Sequence, residues 1–219
     1  MTRVVCTGAY TFSEAARLCR LKSATVRSWF VERKAGKKMV LHCDYPPQDG
    51  KYYISFLDLI DGFVAGHLKE QGVKLPAVRK LYSRLEREFD RNHPFCHESF
   101  GADGPDILSV LGRELGDDSL VVALVKRKVF LRIIAPVLKQ VEYDPETGLA
   151  KLWRIADGVV LDPQRCAGAP IIDRARVLTY ILAASYSANG NDATKAAWEY
   201  AVSPAEVMKA VRFETDLAA

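Results

Sequence analysis

The chain has 219 residues, of which 49% are hydrophobic and 26% charged, with a formal net charge of +4; that length gives room for two or three small units that bury proper cores. Five cysteines (Cys6, Cys19, Cys43, Cys96 and Cys166), odd in number and without a C-x-x-C pair, argue against a disulfide framework and a four-cysteine zinc site. The first residues lack a secretory apolar stretch and the strongest apolar run, Leu120–Val125, stops at Lys126-Arg127-Lys128, so a soluble, cytoplasmic protein is expected.

Residues 10–30 predict a helix, a tight turn and a second helix. Thr11 and Glu14 have capping-box spacing, and Ala15 and Ala16 are small enough for a second helix to cross closely. Leu18, Leu21, Val26 and Trp29 face a shared core. Ser23 is the expected cap of the second helix. The residues left outward, Ser23, Thr25, Arg27 and Ser28, are hydroxyls and a guanidinium, groups that contact phosphates and base edges. Two short helices joined by a turn also occur as plain packing units, so the context has to decide.

Charge supplies some of that context. Residues 1–91 hold 17 Lys and Arg against 10 Asp and Glu, while the remainder is mildly acidic. Positive charge gathered in the part that holds the helix pair suits phosphate attraction. It includes the patch Arg33-Lys34 and Lys37-Lys38. Beyond the patch, residues 39–43 and 51–54 flank a Pro/Gly/Asp turn and predict a hairpin. Ser55 and Asp58 then open a helix ending near Gly72, and Leu75, Val78, Leu81, Tyr82, Leu85 and Phe89 mark another.

Residues 10–89 resemble the MerR-type winged helix-turn-helix. The matching positions are Tyr10, Phe12, residues 14–18, Leu21, residues 25–27, Trp29, residues 55–59, residues 72–75 and Val78. The resemblance implies that Arg17, Thr25 and Arg27 contact DNA. In place of the long dimerisation helix of many such regulators, Asn92-His93-Pro94 closes the helix soon after Phe89.

Next comes a Gly/Pro/Asp-rich segment, residues 97–105, which reads as a connection. Residues 107–111 and 119–125 are expected to be strands, and 129–141 a helix despite Pro136. After a turn at residues 143–148, residues 149–155 and 158–161 predict strands. His93, Cys96 and His97 crowd together, but their spacing matches no recognised zinc pattern. Residues 101–104 lack the context of a phosphate loop, and no nucleophile sits beside an identifiable base. Neither a metal, a cofactor nor enzymatic activity is therefore expected.

Toward the end, helices are expected around residues 180–187, 192–200 and 204–213, with Ser203, Pro204 and Glu206 forming a capping signal. Gly168, Pro170, Ile172 and Arg176 resemble the core motif of the C-terminal domain of certain VapB-type antitoxins, with Arg174 and Ala175 at the positions of its usual Gly-Thr. The order of parts resembles a whole antitoxin architecture. The fold implied is mainly α (α+β): a MerR-like winged head over residues 1–91, a mixed middle segment over 92–158 and a three-helix C-terminal domain over 159–219.

That resemblance implies a type II antitoxin, a homodimer that represses its own operator DNA and neutralises a VapC-like PIN-domain ribonuclease toxin. On this reading Arg17, Ser23, Thr25, Arg27, Ser28, Arg33, Lys34, Lys37 and Lys38 face DNA. Arg174, Arg176 and Arg212 are candidates for the toxin's acidic site, with Phe213 as an apolar anchor. A stand-alone regulator with an effector-binding C-terminal part is the alternative, and a scaffold whose helix pairs only mediate protein contacts is a third reading.

Overall fold

In the computed structural model, the residues described are 8–31, 39–70, 72–114 and 134–218. They build a mixed α+β chain dominated by helices and divided into two compact units, Tyr10–Ala150 and Lys151–Ala219 with Met1–Ala9. The boundary expected after Arg91 falls inside the first unit.

That unit begins with α1 (Phe12–Cys19) and α2 (Ser23–Phe30). The Thr11 hydroxyl accepts the Glu14 amide at 3.2 Å while the Glu14 carboxylate accepts the Thr11 amide at 2.8 Å, so the capping box forms. Arg20 ends α1 in the left-handed conformation. Ser23 does not cap α2: Lys22 holds that position without a side-chain bond, and Ser23 is the first helical residue.

Helices α3 (Phe56–Glu70) and α4 (Leu75–Phe89) follow, and α1, α2 and α4 all pack against α3. At the start of α3 the Ser55 hydroxyl accepts the Asp58 amide and the Asp58 carboxylate accepts the Ser55 amide, at 3.0 and 2.9 Å. Gly66 of α3 lies so close to Leu21 and Trp29 that a Cβ there would collide with both. The expected hairpin over residues 39–54 does not form a ladder. Ile54 pairs with Tyr10, and the amides of Val40 and Leu41 turn back to the Trp29 carbonyl. Trp29 is fully buried, and it draws this loop onto the end of α2.

His93, left-handed at φ 58°, leads into a 3-10 turn, Pro94–Cys96, which packs on α3 and α4. Next comes α5 (Glu98–Glu114), which overturns two expectations at once: residues 97–105 are not a connection and 107–111 are not a strand. Tertiary contacts outweigh the local preference of Gly and Pro for turns. Phe100 packs on Phe95 with ring centroids 4.9 Å apart, and the missing Cβ of Gly101 makes room for the Tyr143 hydroxyl. A short helix α6 (Ala135–Leu138), with Pro136 in its first turn, and strand β1 (Val141–Tyr143) complete the unit. The strand expected over 119–125 lies outside the described residues.

The second unit contains all but the first residue of β2 (Ala150–Ala156), with β3 (Val159–Leu161) and β4 (Ile171–Ile172), paired antiparallel in that order. Asp157-Gly158, with Gly158 at φ +73°, supplies the tight turn between β2 and β3. Three helices follow, α7 (Thr179–Ala188), α8 (Ala193–Glu199) and α9 (Pro204–Ala218), and α9 packs on α7, α8 and β3. Asp192 caps α8 by accepting the Thr194 and Lys195 amides. Ser203 and Glu206 form the capping box expected at α9. Among the described residues, no helix is long and apolar enough to cross a membrane.

Candidate nucleic-acid interface

An aromatic column fixes the outer face of the first unit. Phe12 stacks on Phe30 at 6.4 Å and on Tyr52 at 5.8 Å between centroids, and the Arg27 guanidinium lies over the Tyr52 ring at 5.6 Å. The last residue of α2, the first of α1 and the loop before α3 are thereby joined through side chains. Arg27 is exposed yet held at the end of this column, an arrangement that reduces the ordering cost of a charged contact.

Beside it opens a cleft of about 290 Å³ lined by Thr11, Ser13, Ser23, Arg27, Lys51 and Tyr52. Two cations and several hydroxyls converge on one concave surface, and these are the donors that hold phosphate oxygens. Arg17 is exposed on α1, and among the described residues neither it nor Arg27 has an ion-pair partner. Thr25 is half-buried. The Ser28 hydroxyl donates to the Thr25 carbonyl at 2.7 Å, which spends its proton on its own helix. Arg33, Lys34, Lys37 and Lys38 lie outside the described residues. Reasoning from the sequence missed Ser13, Lys51 and Tyr52. Tyr52 alternates with Ile54 along an extended segment, and that alternation was the available signal.

Elsewhere in this unit, buried ionic groups tie the loop to the core. His93 Nδ1 sits 2.9 Å from Asp61 and its Nε2 sits 3.0 Å from Asp44, while the Tyr82 hydroxyl donates to Asp61 at 2.6 Å. Burial by itself lowers the His93 pKa, but its bonds to Asp44 and Asp61 outweigh that and raise it to about 10. Its ring is therefore an imidazolium bridging two carboxylates. Burial raises the Asp44 pKa, yet the His93 bond and charge prevail and hold it at about 2. Asp58 is pushed up to about 7 by burial, against the opposing charge of His93 and the Ser55 amide. One Asp58 oxygen accepts the Asp44 and Ser55 amides; the other, Oδ1, is buried without a hydrogen-bond partner.

The three residues crowded in sequence, His93, Cys96 and His97, diverge in space. The Cys96 thiol points to the Leu57 carbonyl at 3.1 Å, and His97 stacks on Phe89 at 4.9 Å.

In the second unit Arg174, Arg176 and Arg212 are exposed, with Arg176 left-handed at φ 59°. Phe213 corrects an expectation. It is 8% exposed and belongs to the core, so it offers no anchor to a partner. The large exposed apolar groups of this unit are instead Trp198, 86% exposed, with Tyr180, Tyr200 and Met208. Trp198 is the penultimate residue of a short helix whose buried residues are Ala196 and Ala197, and the sequence pattern did not single it out.

No family model and no curated protein matches the chain. Among solved structures, the X-ray crystal structure of Rv2018 from Mycobacterium tuberculosis is similar, with a TM-score of 0.74 and 23% identity over 92% of this chain and 96% of that one. At that identity the likeness is one of fold.

Proposed function

We propose that the chain is a DNA-binding antitoxin: a MerR-like winged helix-turn-helix head represses its own operator, and the C-terminal unit neutralises a PIN-domain ribonuclease toxin. The observation that carries the DNA part is the convergence of Arg27, held on Tyr52, with Lys51, Ser13 and Ser23 around one cleft beside two outward helices. In this reading α2 enters the major groove, Thr25 and Arg27 contact base edges or phosphates, and the loop with Lys51 and Tyr52 reaches the adjoining backbone. Arg17 and the basic patch at residues 33–38 add phosphate contacts. A homodimer would present two heads to a palindromic operator. The antitoxin part rests on the resemblance of the C-terminal unit and is favoured by its exposed Trp198, Arg174 and Arg212. The protein acts by binding in the cytoplasm, not by catalysis.

The test is fluorescence anisotropy on DNA from the protein's own promoter, over a salt series. Specific binding whose logarithm falls linearly with that of salt, and which Arg27→Glu abolishes, supports the reading. Unchanged binding by Arg27→Glu removes the assignment of α2. For the second part, co-expression with the product of the adjacent gene should give a stable complex and relief of growth arrest. Failure of both would leave the stand-alone regulator.

A further inference from the structure

We propose that His42, Asp44 and His93 form a binding site for a divalent transition-metal ion, zinc in the first place. The three side chains come from separate places in the sequence. His42 and Asp44 alternate along the loop after α2, and His93 sits at the left-handed residue before the 3-10 turn. One ligand atom from each lies within 4.8 Å of the other two. The Asp44 carboxylate is 3.4 Å from His42 Nε2 and 3.0 Å from His93 Nε2. Two ligands of a tetrahedral zinc with bonds of about 2.0–2.1 Å stand roughly 3.3 Å apart, so the two measured separations bracket the required edge.

The surroundings follow the chemistry of a metal-binding histidine. The ring nitrogen of His93 remote from the cluster is bonded to the buried carboxylate of Asp61, which is itself fixed by Tyr82. A carboxylate on the far nitrogen sets the tautomer, directs the near nitrogen outward and raises its basicity. The His42 and His93 rings meet edge to face, with centroids 5.2 Å apart at 80°, and both present Nε2 to the same Asp44 oxygen.

A further carboxylate lies on the far side of His93. Asp58 Oδ1 is fully buried, has no hydrogen-bond donor and lies 3.8 Å from His93 Nδ1, while Asp58 Oδ2 holds the Asp44 amide. An unpaired buried carboxylate oxygen is costly unless positive charge stands nearby. Without an ion the His93 imidazolium supplies that charge, and with the ion bound the dication one imidazole away takes its place. On metal binding, the proton that otherwise bridges His93 Nε2 to Asp44 is released, and both atoms turn to the ion. Two histidines and one carboxylate leave a coordination position for water. The predicted consequence is a more firmly held loop: Asp44 is already bonded to Asp58 and His93, and the ion adds His42 to that attachment. This step is independent of what the protein binds through its other surfaces.

The experiment uses the full chain, stripped with a chelator and dialysed, titrated calorimetrically with zinc chloride and followed separately with cobalt(II) by its visible ligand-field absorption. One equivalent of zinc with micromolar or tighter affinity is expected, together with cobalt bands of a low-symmetry nitrogen–oxygen site. His42→Ala and Asp44→Asn should each weaken binding by about 100-fold. His42 is partly exposed, and Asp44→Asn keeps a hydrogen-bond acceptor toward the buried His93; circular dichroism verifies that both variants keep the fold. His67→Ala, remote in sequence and paired with Glu70, serves as control and should bind as the parent does. Absence of zinc uptake by the parent chain would overturn the proposal, as would uptake that His42→Ala and Asp44→Asn leave unchanged.

Discussion

The guanidinium of Arg27 rests over the ring of Tyr52, 5.6 Å from its centroid, and so links the second helix to the loop that precedes the third. An exposed contact of this kind contributes about 0.5–1 kcal/mol. If the chain binds operator DNA as proposed, Tyr52→Ala should weaken that affinity by roughly two- to fivefold, through loss of Arg27 positioning. Tyr52→Phe, which keeps the ring, should bind as the parent does. Equal losses in both variants in an anisotropy titration would assign the effect to the hydroxyl and not to the ring.

A second prediction concerns the buried network. Tyr82→Phe removes the hydroxyl that donates to Asp61 at 2.6 Å, leaving the carboxylate with fewer donors in a site sealed from water. A bond to a charged group contributes about 1.5–3 kcal/mol, and chemical denaturation should show a loss of that size with an unchanged m-value. A loss below about 0.5 kcal/mol would mean that water replaces the hydroxyl.

Helix crossing can be tested at Gly66. Any side chain there enters the space of Leu21 and Trp29, and a β-branched one cannot turn aside. Gly66→Val should cost about 1–3 kcal/mol by overpacking. Gly72→Ala should be destabilising for another reason: its space is open, but its φ of +91° disfavours a side chain. Thermal melts of the two variants separate overpacking from backbone strain.

Asp173 provides a pH test in the second unit. Its carboxylate meets Arg154 at 2.6 Å and Arg165 at 3.4 Å, and hydrogen bonding to Arg154, with the charges of both arginines, holds its pKa below the ordinary 3.8. A depressed folded-state pKa stabilises the protein above the unfolded value, and that contribution disappears as pH falls through the folded value. In a carboxyl-detected NMR titration Asp173 should titrate below the free aspartate range. In Arg154→Ala it should move back toward 3.8.

Trp198 tests the partner-binding reading. With the residue 86% exposed, Trp198→Ala should change stability by less than about 0.5 kcal/mol. It should nonetheless weaken the complex with the toxin if the exposed indole is an anchor. A variant that still blocks ribonuclease activity at equimolar ratio would place the contact elsewhere.

Local signals were read correctly at most places where the local chain decides the outcome, the cap expected at Ser23 being the exception. The Thr11–Glu14 and Ser203–Glu206 capping boxes and the apolar stripe from Leu75 to Phe89 each act within a few residues, and each formed where expected. The reading failed where distant residues outweighed local preference. Gly101, Gly104 and Pro105 read as a loop, but α5 runs through them because Phe100 finds Phe95 and Gly101 admits Tyr143. Residues 39–54 read as a hairpin, but Ile54 found Tyr10 and the Trp29 carbonyl took the loop amides.

The candidate sites divide in the same way. The family resemblance pointed to Arg17, which is exposed, and periodicity on the second helix placed Arg27 on the solvent side, because 3.6 residues per turn is enough to sort inward from outward positions. It did not reveal that Lys51 and Tyr52 complete the cleft, or that Phe213 is claimed by the core while Trp198 is left outside. The association of His42, Asp44, Asp61 and His93 belongs wholly to the tertiary structure. No spacing rule links residues as many as 51 positions apart; they meet because the buried faces of α3 and the 3-10 turn pack together, and the charges carried into that core must be paired there.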